Sequence, residues 1–295
     1  MTHELKKTAL CAACEAAGGK MVDFHGWFLP VQFDSILAEH KAVREDCGMF
    51  DVSHMGQIRV AGKEALHLLQ YLSCNVIKSD PAAGTYFHIL TPQGTIIDDA
   101  IAFCLSQEEF LVVVNAACVD EDFAWFEKQA AAFNVTVTNE SAKWGMIALQ
   151  GPAAVEIADK MVPGAIDLPR FHIREIELFG AKGYMTRTGY TGEDGVEIML
   201  PNGQIEALWN ALLKLGVKPC GLGARDVLRL EAGYLLNGAD ANQTKTPYEA
   251  NCGWVVKLSK DNFIGKEALV AKKAAGFQTT LKAFKLKIPG VPREG

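Results

Sequence analysis

The stretch Gly94-Thr95-Ile96-Ile97-Asp98-Asp99-Ala100-Ile101 places two adjacent carboxylates inside an apolar run that is typical of a buried β-strand. Successive side chains of a strand point to opposite faces, so Asp98 and Asp99 are expected to lie in different pockets. A buried carboxylate costs on the order of several kcal/mol unless it is paired or hydrogen-bonded. We therefore expect at least one of the two to have a function. The structural alternative is that one caps a neighbouring backbone segment and the other lies in solvent.

The composition is that of an ordinary globular protein. The chain has 295 residues, 49% of them hydrophobic, and a formal net charge of −6. This length suggests two domains. No clustered basic stretch is visible, which argues against nucleic-acid binding, and no apolar run approaches the length needed to span a membrane. The start Met1-Thr2-His3-Glu4-Leu5-Lys6-Lys7 is too polar for a secretory signal, so a cytoplasmic location is expected.

The cysteines and histidines do not form a metal-binding or disulfide pattern. Eight cysteines lie at irregular positions, mostly in apolar stretches such as Ala102-Phe103-Cys104-Leu105, which favours reduced thiols in the core. Seven histidines are scattered singly, so no metal site is predicted. Cys11-Ala12-Ala13-Cys14 has the spacing of a redox motif, but no strand precedes it, and a redox function is not favoured.

The apolar periodicity predicts helices and strands on both sides of the Asp pair. Strands are expected near 58–60, 96–103, 110–114, 146–149, 196–200 and 281–288, and helices near 36–44, 63–72, 119–133, 153–161 and 205–215. Asp34 or Ser35 is expected to cap the first of these helices, and 48–56 is expected to be a loop. The order of strand, helix and strand suggests α/β layers.

The segment Arg187-Thr188-Gly189-Tyr190-Thr191-Gly192-Glu193-Asp194-Gly195-Val196-Glu197 is a glycine-rich turn that leads into a strand. Its glycines permit positive φ angles or the close approach of a ligand to the backbone. Glu197 alternates with Val196 and Ile198, so it is expected on the opposite face of the strand. A carboxylate accepts two parallel hydrogen bonds, which suits a ligand edge with two adjacent N–H donors, such as an aminopyrimidinone. An ordinary hairpin explains the glycines but not this carboxylate.

The segment Gly221-Leu222-Gly223-Ala224-Arg225-Asp226 opens a helix but is not a phosphate loop, because Asp226 stands where the last glycine would be. Arg225 and Arg229 fall one helical turn apart, and like charges at that spacing repel mildly unless each has a partner. Asp226 or Glu231 is a local candidate for that partner. The alternative, given equal weight, is that Arg225 faces an anionic or carbonyl-rich ligand.

Six motifs, in this order along the chain, resemble those of the T-protein family of the glycine cleavage system. They are Met21-Val22-Asp23-Phe24-His25-Gly26-Trp27, 49–56, Asp98-Asp99, 187–197, 220–230 and Phe263-Ile264-Gly265-Lys266-Glu267-Ala268-Leu269. The similarity extends over nearly all of the chain. It implies an aminomethyltransferase that moves the one-carbon unit of an aminomethyl group to tetrahydrofolate and releases ammonia. Tetrahydrofolate is then the co-substrate, and the lipoylated H-protein that carries the aminomethyl group is the partner.

The resemblance also implies roles for individual residues. The catalytic Asp of the family corresponds to Asp99, where a desolvated carboxylate can orient the attacking folate nitrogen and stabilise the positive charge developing on it. The folate-binding Glu, Arg and Tyr correspond to Glu197, Arg225 and Tyr190. Four further positions correspond to the lining of the pocket: Met55, Tyr86, Val113 and Asn115.

By resemblance the fold is α+β, a three-domain cloverleaf with folate in the central hole, in which a split first domain surrounds a ferredoxin-like second domain. The first domain is expected at 1–54 and 143–245, the second at 55–142 and 246–280, and the start of a truncated C-terminal barrel domain at 281–295.

Two segments depart from the family pattern. Gly94-Thr95 stands where Gly-Gly is usual, and Leu236-Asn237-Gly238-Ala239 stands where Leu-Tyr-Gly-Gln is usual, which removes an aromatic ring near the folate site. Two other functions stay open: a folate-binding protein without catalysis and a folate-dependent demethylase. Retention of Asp99 favours the transferase over the non-catalytic protein.

Overall fold

The computed structural model describes residues 4–287 and 290, and the described part is α+β. Its strands are β1 (Lys6–Lys7), β2 (Lys20–Phe24), β3 (Trp27–Gln32), β4 (Gly48–Asp51), β5 (Gly56–Ala61), β6 (Gly84–Leu90), β7 (Ile96–Ser106), β8 (Glu109–Val114), β9 (Thr136–Asn139), β10 (Trp144–Gln150), β11 (Ile173–Leu178), β12 (Ala181–Thr186), β13 (Gly195–Pro201) and β14 (Lys218–Pro219). Its helices are α1 (Cys11–Ala16), α2 (Ile36–Glu45), α3 (Ala65–Leu72), α4 (Val119–Ala130), α5 (Ala154–Asp159), α6 (Asn202–Lys214), α7 (Leu222–Ala232) and α8 (Lys266–Ala275). Over these residues, no helix is both long and apolar enough to cross a membrane.

One sheet has six strands in the order β11-β12-β13-β10-β4-β14. Its pairs are antiparallel except β4 with β14, which is parallel. Helices α5 and α6 pack on β10 and β13, and their shared core includes Leu149, Ile198 and Trp209. Helix α7 packs against α2 and β3. This arrangement fixes the positions of Glu197 on β13 and Arg225 on α7.

A second sheet has five antiparallel strands in the order β6-β7-β8-β5-β9. Helices α3 and α4 pack against it, with Leu68, Phe87 and Phe126 in the core between them. The strand with the Asp pair, β7, lies between β6 and β8. Side chains of three neighbouring strands can therefore meet around Asp98 and Asp99. A smaller three-stranded sheet has the order β1-β3-β2.

The two large sheets share an apolar cluster. Phe50 and Met146 of the six-stranded sheet pack in it with Phe103 and Leu111 of the five-stranded sheet. Because each sheet also packs against its own helices, both faces of its central strands are buried. Burial on both faces accounts for the continuous apolar run at 110–114.

The strands of the two sheets come from different parts of the chain. The five-stranded sheet is built from 56–139, and the six-stranded sheet from 48–51 together with 144–219. A further apolar cluster joins α8 and Val255 to Leu90 and Ile96 of the five-stranded sheet. The division into domains stays a prediction.

Two predictions about local structure are wrong, and one is resolved. The first half of the predicted loop 48–56 is strand β4, which is buried along its whole length between β10 and β14. The strand predicted at 281–288 is irregular through Lys287, and Ile288 lies outside the described residues. Of the two candidate caps for α2, Ser35 has the role, since its side chain accepts a hydrogen bond from the backbone N–H of Ala38.

Candidate functional site

Asp98 is the member of the pair with a structural role. It is fully buried on β7. Its carboxylate accepts hydrogen bonds from the backbone N–H of Asn115 at 2.9 Å, from Asn115 Nδ2 at 2.8 Å and from Asn237 Nδ2 at 2.8 Å. Burial raises the pKa of Asp98, and the hydrogen bonds from Asn115 oppose the rise. A carboxylate with three donors is well satisfied, which matches the alternative that one Asp holds a backbone segment.

Asp99 is only partly buried and has fewer donors. Tyr86 Oη donates to its Oδ2 at 3.0 Å, and Asn115 Nδ2 donates to its Oδ1 at 3.1 Å. Burial, together with the neighbouring charge of Asp98, raises the pKa of Asp99 to about 7. A carboxyl group that exchanges its proton near neutral pH is suited to acid–base chemistry.

The two carboxylates differ in burial and in most of their partners, but the side chain of Asn115 bonds to both, and their assignment to separate pockets stays a prediction. Asn115 follows β8 directly, and its single side-chain nitrogen lies 2.8 Å from Asp98 Oδ1 and 3.1 Å from Asp99 Oδ1. Asn115 stands at the end of the neighbouring strand β8, and its side chain links the two carboxylates although alternation along β7 points them to opposite faces. The structure therefore couples the charge of Asp98 to the protonation of Asp99.

Glu197 lies on β13, directly opposite Thr186 of β12. Thr188 Oγ1 donates to Glu197 Oε2 at 2.5 Å, and the hydroxyls of Thr186 and Thr188 are 2.6 Å apart. Burial raises the pKa of Glu197, while the Thr188 hydroxyl and the charge of Arg225 oppose the rise. Within the described residues no group donates to Oε1, so this oxygen is available to a ligand.

Arg225 projects from α7 toward the glycine-rich turn. Its Cζ lies 4.8 Å from the ring centroid of Tyr190, a cation–π distance. Burial lowers the pKa of Arg225, and the nearby Glu197 and Tyr190 oppose that shift. The buried Nη1 has no hydrogen-bond acceptor in the part of the chain that the structure describes. A buried guanidinium N–H without a partner is costly, and a ligand oxygen placed there would satisfy it.

Asp226 and Glu231, the carboxylates predicted as local partners of Arg225 and Arg229, do not pair with Arg225. Asp226 is 2.8 Å from Arg229, and Glu231 is 2.7 Å from Arg44 on α2. The alternative in which Arg225 pairs with Asp226 or Glu231 is therefore wrong, and the one in which it faces a ligand stays a prediction.

Tyr190 connects the turn to the Asp pair through the segment 234–237. Its hydroxyl donates to the carbonyl oxygen of Leu235, and its ring stacks on Tyr234 with a centroid distance of 5.7 Å and an angle of 23°. Two residues further along, Asn237 donates to Asp98. The segment therefore contacts both Tyr190 and Asp98. Burial raises the pKa of Tyr190 to about 12, the charges of Arg229 and Arg225 oppose the rise, and the charge of Asp99 adds to it.

The remaining predicted lining residues lie around this region. Met55 and Val113 are partly buried against the apolar cluster between the sheets. Tyr86 stacks on the exposed ring of Trp254, with centroids 5.7 Å apart and an angle of 20°. Their contact with a substrate stays a prediction.

Three side chains near the predicted site residues were not among those predicted. His88 Nε2 lies 3.1 Å from the hydroxyl of Tyr86. His54 is buried, and burial together with the charge of Arg225 lowers its pKa to about 3. Asn237 differs from the usual family residue, and its contact with Asp98 spans 139 positions of the chain. Only His88 had a detectable clue, since it alternates with Tyr86 in one strand.

Two surface pockets lie away from the predicted site residues. One hollow of about 330 Å³ is lined by residues such as Glu127 and Val137, and another of about 230 Å³ by residues such as Phe33 and Lys218. Neither includes a predicted site residue. No three His, Cys, Asp or Glu side chains within 4–287 and 290 are grouped so that they could hold a metal ion.

Comparison with known proteins gives matches over most of the chain. The family GCVT N-terminal domain matches residues 10–260. An aminomethyltransferase of Chlorobaculum parvum is 48% identical over 272 residues, which cover 90% of this chain and 74% of that protein. One of Alkaliphilus oremlandii is 42% identical over 299 residues, with 99% and 81% covered. The crystal structure of glycine cleavage system aminomethyltransferase T from Bartonella henselae matches with a TM-score of 0.86 at 36% identity, covering 92% of this chain and 76% of that one.

Proposed function

The chain belongs to the GCVT N-terminal domain family, and from this premise we propose that it is an aminomethyltransferase of the glycine cleavage system. In the proposed reaction, tetrahydrofolate takes the methylene carbon of an aminomethyl group bound to the dihydrolipoyl sulfur of H-protein. Two C–N bonds to folate form, and the C–S bond and the C–N bond of the aminomethyl group break. The products are methylenetetrahydrofolate, ammonia and dihydrolipoyl H-protein, and no oxidant is needed.

The observation that carries the proposal is the state of Asp99. It is partly exposed, it receives one hydrogen bond on each oxygen, and burial beside Asp98 raises its pKa to about 7. Two folate nitrogens bond to the carbon, and each of them loses a proton. One of these protons ends on ammonia and the other on the sulfur. A carboxylate that gains and loses a proton near neutral pH can act on the folate nitrogen that attacks first. It can orient this nitrogen, stabilise the charge that develops on it and accept the proton that it loses.

Glu197 and Arg225 are suited to the pterin ring of tetrahydrofolate. The free Oε1 of Glu197 can accept an N–H from the edge of the ring, and the unpartnered Nη1 of Arg225 can donate to an oxygen of the ligand. The ring of Tyr190 lies 4.8 Å from Cζ of this guanidinium and helps to position it. The two groups of opposite charge thus present a donor and an acceptor to one ligand edge, which is what a heterocyclic amide requires.

The substitution Asp99→Asn tests the proposal, because it removes the acid–base function and keeps the size of the side chain. We expect ammonia release from aminomethyl-loaded H-protein and tetrahydrofolate to fall by about 10²- to 10⁴-fold. The dissociation constant for tetrahydrofolate should change only slightly, since Glu197 and Arg225 are intact. The matched control is Asp120→Asn, the same change at an exposed position of α4, which should leave both quantities unchanged.

The same assays, applied to the unsubstituted chain and to Asp99→Asn, separate the alternative functions. Turnover that survives Asp99→Asn would contradict the assignment of Asp99. Binding of tetrahydrofolate without ammonia release would favour a non-catalytic folate-binding protein. Transfer of a methyl carbon from a small methylated amine, with no response to H-protein, would favour a folate-dependent demethylase.

A further inference from the structure

His88 extends the hydrogen bonding of Asp99 into the core. His88 and Tyr86 lie on one face of β6, because side chains two residues apart in a strand point the same way. In the antiparallel pair β6 and β7, His88 is directly opposite Asp99. The three side chains form a row, with His88 Nε2 3.1 Å from Tyr86 Oη and Tyr86 Oη 3.0 Å from Asp99 Oδ2. His88 is fully buried, so it acts only through Tyr86.

The chemistry of this row fixes the position of each hydrogen. A carboxylate only accepts, so the single phenolic hydrogen of Tyr86 points to Asp99 when Asp99 is charged. Tyr86 Oη then offers only lone pairs to His88, and His88 Nε2 must carry a hydrogen. Burial lowers the pKa of His88 to about 3, so the neutral ring has no hydrogen on Nδ1.

The surroundings of His88 Nδ1 agree with the tautomer in which Nε2 carries the hydrogen. His88 Nδ1 is buried, and nothing within the described residues forms a hydrogen bond with it. A buried N–H without a partner is rarer in proteins than an unpaired acceptor. The opposite tautomer would leave such an N–H in the core and would also remove the donor to Tyr86.

We propose that His88 is a positioning residue that holds the hydroxyl hydrogen of Tyr86 on Asp99. Its effect on catalysis rests on the proposed function, whereas its tautomer does not. Hydrogen bonds in series strengthen one another, so a donor on Tyr86 Oη makes the phenol a better donor to Asp99. His88 therefore favours the charged form of Asp99, in opposition to burial and to the charge of Asp98.

Several other titratable groups surround this row and remain unchanged when His88 is replaced. They are Asp98 on the same strand as Asp99, Asp122 on α4, Tyr190 and Cys252 near Asp99, and Cys74, whose backbone N–H bonds to the carbonyl of His88. A shift in the pH profile of a His88 variant thus reports on the hydrogen bond through Tyr86.

The pH dependence of kcat in two variants tests the proposal. In His88→Phe, which lacks a donor, the acid limb of kcat should move to higher pH by about 0.5 to 1 unit, the size expected for the loss of one hydrogen bond. In His88→Gln, whose amide can donate to Tyr86, the acid limb should lie close to its position in the unsubstituted protein. The KM for tetrahydrofolate should stay within a few-fold in both. An unmoved acid limb in a folded His88→Phe variant would overturn the proposal.

A control and a spectroscopic measurement separate this proposal from loss of packing and from failure of the proposed function. Ile89→Val changes the next residue, which is fully buried, and should lower Tm without moving the acid limb. In the full chain without substrates, ¹⁵N NMR should show His88 with hydrogen on Nε2 only, and this should hold from about pH 5 to pH 8. A hydrogen on Nδ1, or titration in this range, would refute the tautomer even if the protein has no transferase activity.

Discussion

Arg225 and Arg229 are one helical turn apart on α7, and their partners give them different roles. Arg229 is 8% exposed and lies 2.8 Å from Asp226 and 2.6 Å from Asp240. Arg225 has no such carboxylate partner within hydrogen-bond distance in the described part, and its Nη1 is without an acceptor. The guanidinium of Arg229 therefore stabilises the fold, whereas that of Arg225 is placed at a cost in stability that a bound ligand can offset.

The substitution Arg225→Met should separate ligand binding from stability. Loss of a charged hydrogen bond to the ligand should raise the dissociation constant for tetrahydrofolate by about 10- to 100-fold. The Tm of the free protein should not fall, because the substitution relieves the cost of burying the guanidinium and no internal hydrogen bond of Nη1 is lost. Isothermal titration and thermal unfolding measure the two effects.

The matched control for this prediction is Arg229→Met on the same helix. It removes the ion pairs of Arg229 with Asp226 and Asp240, which are 58% and 25% exposed, and we expect it to cost about 1–3 kcal/mol of unfolding free energy. If Arg225→Met lowered Tm as much as Arg229→Met and left the affinity unchanged, Arg225 would be a structural residue.

The sequence predicts the kind of residue at this site better than the role of each one. A carboxylate pair in an apolar run is visible by inspection, and its second member matches the family's catalytic position. What separates Asp98 from Asp99 is the position of Asn115 and Asn237, which lie 17 and 139 residues from Asp98. Such contacts depend on how strands and loops come together, and the local pattern contains no information about them.

At the scale of elements, the glycine-rich turn is shaped by the buried side chain of Gln150. Thr191 Oγ1 donates to Gln150 Oε1 at 2.9 Å, and Gln150 Nε2 donates to the carbonyl of Thr188 at 3.2 Å. Gly192 has a φ of +82°, as the prediction for these glycines allows. Gly189 has a different reason to be glycine, since a Cβ there would lie 1.9 Å from Gln150 Oε1. The turn that positions Tyr190 therefore depends on a fully buried amide.

The substitution Gly189→Ala should displace Gln150 and the turn together. We expect a loss of about 1–3 kcal/mol of unfolding free energy, the usual cost of overpacking, and weaker binding of tetrahydrofolate because Tyr190 is the next residue. The control is Gly203→Ala in α6, where a Cβ would meet nothing within 4 Å. That change should instead stabilise the protein by about 0.4–1 kcal/mol. Urea unfolding measures both, and equal effects of the two substitutions would refute the packing argument.

Helices whose apolar residues repeat at a regular spacing are predictable here, and short strands that are buried on both faces are not. Helices α2, α3, α4 and α6 repeat their apolar residues at helical spacing, and each lies where that spacing predicts it. Strand β4 has four residues, all of them buried, so it shows no alternation of apolar and polar positions. Its pairing with β10 and β14 is set by tertiary contacts.

At the scale of the whole molecule, the predicted site draws its residues from both large sheets. The Asp pair and Tyr86 belong to the five-stranded sheet, and Glu197 belongs to the six-stranded sheet. The apolar cluster between the sheets sets their relative position, and periodicity cannot predict it, because it only shows which face of a strand is buried. The family resemblance supplied the expectation that these residues meet.

The raised pKa of Asp99 makes the stability of the molecule depend on pH. The pKa is about 7 in the folded protein and 3.8 for an ordinary Asp, so the folded state binds a proton more tightly than the unfolded chain. The stability that this proton contributes is fully present below about pH 4 and is lost as the pH rises through about 7. The active, charged form of the site is therefore its less stable form.

Asp99→Asn should remove this dependence, since the amide does not ionise. We expect the Tm of the variant, minus that of the unsubstituted protein, to become more positive between about pH 5 and about pH 8. Thermal unfolding in a series of buffers at constant ionic strength measures this difference, and Asp120→Asn should give a flat line. A difference that stayed constant or fell would mean that Asp99 ionises in the folded state as easily as in the unfolded chain. The variant with the weakest turnover would then have no advantage in stability at neutral pH, and the raised pKa on which the proposed acid–base role of Asp99 rests would be refuted.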